Sequence, residues 1–346
     1  MNSSKVANIA YWLISMVAMI VILWFGKNIL IPFVLALILW YLKRQLRSLI
    51  GKIKIKGKSL PPRLEHTVAF LFIFILLAIN VEIIYVSIQG IGEAIPIYES
   101  NLSVIQQKLD IAFNIDSASW LKAHPVDNSI MNLLKAILNS LAAVLGKGLI
   151  ILFYVIFLVL ETKVFETKLR AMYQTEGKYN EVIKLLHKLD KSLSKYIVLK
   201  TLVSLLTGIL SYVVLAVIGV DFAVFWAFLI FSLNYIPTIG SLVATVFPTV
   251  IALLQGGSFS HALFVLAGVG TIQILVGNLV EPKVMGNSLN VSSLVVILSL
   301  VLWGSLWGII GMIIAVPITV ILIIIFAQFP GSRKIAIILS KDGIID

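Results

Sequence analysis

The chain has 346 residues, of which 60% are hydrophobic and 12% charged, with a mean hydropathy of +1.06. A water-soluble globular domain is about half apolar and about a quarter charged, so this composition excludes one and predicts an all-α polytopic membrane protein. A net charge of +11 would suggest a nucleic-acid partner in a soluble protein; here the basic residues cluster beside apolar runs, as the positive-inside rule requires, and no nucleic-acid partner is expected.

The absence of cysteine removes disulfides, thiolate metal sites and cysteine nucleophiles. The first apolar run, residues 9–25, resembles a signal peptide, but Gly26, Lys27 and Asn28 follow it in place of a small-residue cleavage site. It reads as an uncleaved span. A shorter apolar run, 29–42, completes a hairpin or a broken element. The next stretch carries Lys43, Arg44, Arg47, Lys52, Lys54, Lys56, Lys58 and Arg63 against one acid, Glu65, which assigns it to the cytoplasm.

A third span is expected at 67–88. Residues 89–143 are more polar and read as a small soluble helical segment outside the membrane. A fourth span, 143–160, returns the chain inward. Residues 161–196 then hold eight lysines and arginines and five acids. Val182, Leu185, Leu186, Leu189 and Leu193 recur at three and four residues, the pattern of an amphipathic helix on the cytoplasmic surface. A fifth span is expected at 197–218.

From 197 to 330 the ionisable acids and bases are Lys200, Asp221, Glu281 and Lys283. The apolar pieces here, 222–233, 241–254, 262–280, 291–303 and 307–326, do not divide into units of about twenty residues. Short pieces with Gly and Pro interruptions predict broken or re-entrant helices. Five regions result: 1–66, a membrane hairpin with its basic loop; 67–160, two spans flanking the polar segment; 161–196, the surface helix; 197–330, a transport core; and 331–346, a basic tail. With both termini cytoplasmic, the number of crossings is even. A weak internal echo links IPTIGSLVATVFPT with WGIIGMIIAVPIT.

Two stretches in the core stand out. In LNYIPTIGSL (233–242), Pro237 lacks an amide and Gly240 tolerates unusual backbone, so the helix breaks there. Asn234, Tyr235 and Thr238 supply polar groups beside the break. In GNLVEPKVMG (277–286), Asn278 and Glu281 are expected to share a helical face, and Pro282 to end or bend the helix. An ionisable group at membrane depth is a functional candidate by default, so Glu281 could take a proton, a cation or a solute hydroxyl; the bland reading is a helix-end carboxylate paired with Lys283. Glu82, beside Asn80 near the outer end of the third span, is a weaker candidate. Lys200 is expected to snorkel from the start of the fifth span. Asp221 and His261 read as loop residues. No HExxH motif, Walker-type loop or metal-ligand cluster is present, so neither an enzyme nor a cofactor is expected.

Four stretches together resemble the autoinducer-2 exporter family of bacterial membrane proteins: YIVLKTLVSLLTG (196–208), NYIPTIGSLVATVFPTVIALL (234–254), GNLVEPKVMGNSLNVSSLVVILSLVLWGSLWGIIGM (277–312) and AVPIT (315–319). The resemblance covers nearly the whole chain and is strongest from Tyr196 onward. It implies a permease of the bacterial inner membrane with about eight membrane segments, assembled as a homo-oligomer. It further implies export of the furanone-type signal autoinducer-2, or sodium(lithium)/proton antiport in other members. The positions shared with the family motif are Asn234, Pro237, Gly240, Pro248, Asn278, Glu281, Pro282 and Gly286. The family often carries a proline pair where this chain has Phe247-Pro248. A passive membrane scaffold is a third reading, which the broken helices oppose. A neutral solute suits Asn234, Tyr235, Thr238 and Asn278; an antiporter would depend on Glu281.

Overall fold

The computed structural model describes residues 3–52, 54–55, 58–59, 61–113, 142, 146–173, 175–286 and 290–344. Among them the fold is all-α apart from a two-residue ladder in the basic loop. Helices α1 (Ser3–Phe25) and α2 (Lys27–Ile50) meet at Gly26. Strands β1 (Lys54–Ile55) and β2 (Lys58–Ser59) pair antiparallel, Lys54 opposite Ser59. Then come α3 (Pro62–Phe113), α4 (Gly148–Met172), α5 (Glu176–Ile218), α6 (Ala223–Leu233), α7 (Ile239–Gly256) and α8 (Phe259–Leu275). A π-turn (Val276–Val280), α9 (Glu281–Met285), α10 (Ser293–Gln328) and α11 (Arg333–Leu339) complete the chain.

Among the described residues six helices are long and apolar enough to cross a membrane, or seven if the bent pair Gly148–Thr162 and Val164–Met172 is one span. Leu13–Phe25 and Ala223–Leu233 are shorter apolar helices. The third span and the first part of the polar segment expected after it form one helix, α3, of 52 residues. The rest of that segment, 114–141 and 143, lies outside the described residues. Likewise the surface helix and the fifth span are continuous. Beyond Gly177, α5 meets no proline, and its next glycine is Gly208, so nothing in the backbone stops it at 196.

The chain divides into two compact units. One comprises Met1–Gln45, Gly148–Ile197 and Asn287–Asp346. Its core sets Ala36 of α2 against Ile151 and Val155 of α4, with Phe33 and Tyr154 edge to face. Arg44 pairs with Asp190 of α5, and its guanidinium lies over Trp40. In this unit α10 is not a single rod. Gly308 has φ 63° and ψ −142°, and the Ser299 hydroxyl donates to the Ala315 carbonyl (3.1 Å) and lies 2.7 Å from Thr319 Oγ1. In a straight helix, groups sixteen and twenty residues apart would be separated by ~24–30 Å. The chain therefore reverses at Gly308 into a helical hairpin. The Trp307 indole caps the end of α1, donating to the Leu23 carbonyl (2.9 Å).

The second unit comprises Leu46–Lys147 and Val198–Gly286. Here α6 and α7 form another hairpin, closed by Trp226 stacked on Phe247 with ring centroids 6.4 Å apart. α3 fastens the end away from that hairpin's turn. Tyr98 donates to Asp221 (3.1 Å), the Asn101 amide donates to the carbonyls of Leu254 and Gln255, and Lys108 Nζ donates to that of Gly257 (2.7 Å). The last three contacts satisfy carbonyls at the C-terminus of α7, where a cation also meets the negative end of the helix dipole.

Both hairpins turn by the same device. A β-carbon on Gly240 would lie 1.9 Å from the Leu233 carbonyl oxygen, and one on Gly311 would lie 1.9 Å from that of Trp303. The glycines are needed for close approach, not for positive φ. The left-handed residue of the first turn is Thr238, at φ 58°. Gly240→Ala and Gly311→Ala should each cost about 1–3 kcal/mol by overpacking against backbone that cannot yield. Gly92→Ala, with nothing within 4 Å of the added carbon, is the control and should be neutral. Thermal melts of the three purified variants in one detergent check this; unchanged midpoints for the two hairpin variants would sink it.

Candidate functional site

The candidate site lies in the second unit, on one face of α5. Lys200, Ser204, Thr207 and Ser211 recur at four, three and four residues and are all buried. Their spacing puts them on one stripe of the helix. In an apolar helix such a stripe must find polar partners or remain unsatisfied at a cost.

Two neighbouring elements supply partners. The turn between α6 and α7 brings Asn234, whose side-chain amide donates to Ser204 Oγ (3.1 Å). It also brings Tyr235, whose hydroxyl lies 2.6 Å from Thr201 Oγ1. The π-turn and α9 bring Glu281, which forms an ion pair with Lys200. Lys200 is 2% exposed and the Glu281 side chain 24%. Thr207 bonds back to the Val203 carbonyl (2.9 Å).

This geometry departs from the sequence expectation in several places. Lys200 does not snorkel; it is buried on Glu281, and Glu281 pairs with it and not with Lys283. Pro282 does not end the helix. It stands in the first turn of α9, directly after the π-turn. A proline cannot donate to the carbonyl four residues back, and its ring crowds that group; the wider π-turn relieves both constraints. The same widening separates Asn278 from Glu281: Asn278 is exposed while Glu281 turns inward. Gly286, exposed at φ 49°, closes α9. Glu82 is on the exposed side of α3.

The turn itself offers side chains and little bare backbone. The amides of Asn234, Tyr235, Ile236, Ile239 and Gly240 all donate within it. Thr238 is exposed; its hydroxyl donates to the Pro237 carbonyl (2.7 Å), and its own carbonyl accepts from Ser241 (2.8 Å). Pro248 is buried in α7, flanked by Thr245 and Thr249, whose hydroxyls bond back to the carbonyls of Ser241 and Thr245. The sequence reading missed Thr201, Ser204, Thr207 and Ser211. Their spacing was the available signal. Among the described residues no cluster of three metal-ligating side chains occurs.

The Lys200–Glu281 pair yields a stability test. Removing one member leaves the other charge uncompensated, at about 3–5 kcal/mol for a fully buried pair and less here because Glu281 is a quarter exposed. Lys200→Leu and Glu281→Leu should each lower the unfolding midpoint in detergent, and the double variant should recover most of the loss. Additive losses would mean that the two charges are not coupled.

Comparison with known proteins agrees with this architecture. A family model described as AI-2E family transporter matches residues 13–331. The AI-2 transport protein TqsA of Escherichia coli is 33% identical over 322 residues, covering 91% of this chain and 90% of that protein. A Haemophilus influenzae protein designated a transport protein, with no stated substrate, is 30% identical over 349 residues, 96% and 97% of the two chains.

Proposed function

The chain belongs to the AI-2E transporter family, and from that premise we propose that it exports a small, neutral, hydroxyl-rich solute such as autoinducer-2 across the bacterial inner membrane. One observation carries this reading. Asn234 and Tyr235 from the α6–α7 turn, and Glu281 from the π-turn, meet a single polar stripe on α5. The ionisable groups on that stripe form a pair of zero net charge. What remains is hydroxyl and amide chemistry, which suits a neutral polar solute. α6 is 11 residues long, or ~16 Å, about half the hydrocarbon thickness. The short α6 thus puts the α6–α7 turn at membrane depth, where polar residues mark solute paths. The basic loop 43–63 is cytoplasmic by the positive-inside rule, as are both termini.

The Lys200–Glu281 pair favours a second reading, cation/proton antiport. A sodium or lithium ion binding Glu281 would displace the ammonium, which then releases its proton. Flux in proteoliposomes separates the two. With labelled autoinducer-2 and a trapped pH dye in one preparation, wild type should move the solute without sodium-driven proton movement. Glu281→Gln, which keeps an acceptor for Lys200, should retain solute flux within several-fold. Sodium-driven proton movement that disappears in Glu281→Gln would replace the export reading with antiport.

A further inference from the structure

Three buried polar atoms of the second unit have no hydrogen-bond partner among the described residues: Ser211 Oγ on α5, Trp226 Nε1 on α6 and Gln273 Nε2 on α8. Their residues are 0%, 1% and 8% exposed. Buried polar groups are nearly always satisfied, so three orphans in one helical unit need a cause.

Helix register brings them to one level. α5 and α6 run antiparallel: Asn234 meets Ser204, and a β-carbon on Gly208 would lie 3.2 Å from the Ala227 carbonyl. Advancing one turn along α5 and stepping back along α6 puts Ser211 at about the level of Trp226. α5 and α8 are also antiparallel. Lys200 pairs with Glu281 at one end, and a β-carbon on Gly268 would lie 2.6 Å from Val214 Cγ1 at the other. Gln273 falls between these contacts, within about one turn (~5 Å) of the level of Ser211. α7 closes the remaining side with Phe247 on the Trp226 ring and Thr245 beside Gly270.

We propose that Ser211, Trp226 and Gln273 form a buried binding site for a small neutral molecule bearing hydroxyl or carbonyl oxygens. The donor set dictates the class. An indole N–H only donates, the glutamine nitrogen only donates, and the serine hydroxyl does either. Two fixed donors repel a metal cation. An anion would need a free positive charge, and the ammonium of Lys200, the base on this stripe of α5, is held by Glu281 and stands ~16 Å along the helix from Ser211. A neutral oxygen is the acceptor that remains. The site lies along the same α5 stripe as Ser204 and Thr207, displaced from the α6–α7 turn toward the C-terminal end of α5. Its place in a solute path rests on the transport reading; its capacity to bind does not.

The test uses the full-length protein in detergent, with autoinducer-2, ribose and glycerol as probes of thermal unfolding. At least one probe should raise the wild-type midpoint in a saturable way. Gln273→Leu deletes one donor with little change of shape and Trp226→Phe deletes the other while keeping an aromatic ring on Phe247, so each should raise the half-saturating concentration about tenfold, the worth of roughly one hydrogen bond. Gln273→Leu should melt at or above the wild-type temperature without probe, because it removes an orphan, whereas Trp226→Phe also leaves a cavity beside Phe247 and should melt lower. In proteoliposomes the KM for the same probe should rise by the same factor with the maximal rate held. If no probe stabilises the wild type, or both variants keep the wild-type half-saturation, the site is overturned and the orphans hold structural water only. Saturable stabilisation lost in the variants, but with no flux of any probe in wild-type vesicles, would support the site and sink the transport of neutral solutes.

Discussion

Hydrocarbon supplies no hydrogen bonds, so a helix that breaks inside it must satisfy its own backbone at the point of the break. This chain breaks apolar helices twice, and at each break a glycine lets the chain pack against a carbonyl, Gly240 on Leu233 and Gly311 on Trp303. Each contact lets the chain reverse within a few residues, and at the first turn the amides of Asn234, Tyr235, Ile236, Ile239 and Gly240 stay bonded. The arms of each hairpin are then free to face each other, through Trp226 and Phe247 in one unit and Ser299 and Thr319 in the other. The contacts of Asn234 and Tyr235 at the candidate site follow from the first reversal. Without it, Asn234 and Tyr235 would continue along a helix in place of meeting Ser204 and Thr201.

The polar stripe on α5 carries the opposite problem. Each hydroxyl, amide or charge in an apolar interior costs stability unless paired. Down the stripe the pairing weakens: an ion pair at Lys200, a side-chain bond at Ser204, a bond to its own backbone at Thr207, and nothing among the described residues at Ser211. A stripe selected for stability alone would be apolar along its length. Its retention as a graded polar surface fits a helix whose role is to meet something other than protein.

Much of this was legible in the sequence. Composition alone predicts an all-α membrane protein, and Pro237 with Gly240 marks the first reversal. The echo between the two glycine-rich stretches corresponds to a shared turning device, although Gly308 itself did not stand out, because no proline or strongly polar residue flags it. Lys200 and Glu281 were each visible as isolated charges, but their pairing spans 81 residues of sequence and depends on how α5 and α8 align. The π-turn is least legible of all. Ideal periodicity puts Asn278 and Glu281 on one face, and only the tertiary structure reveals the extra residue that parts them. Ser204, Thr207 and Ser211 passed unnoticed because small hydroxyl residues are ordinary in membrane helices; their common stripe, not their presence, is informative.

The π-turn also sets an angular relation that no side chain could supply. Gln273 and Glu281 are eight residues apart. In an unbroken α-helix that spacing would point them ~80° apart around the axis. A turn that absorbs one extra residue cuts the difference to ~20°. The unpartnered amide and the paired carboxylate thus come into line on the wall that faces α5. The width of the turn, more than residue identity, is what keeps them there: the same eight residues wound as a regular α-helix would swing the carboxylate ~80° off its ammonium, whereas removing the extra residue and letting the turn close to regular α-helix would leave the offset at ~20°.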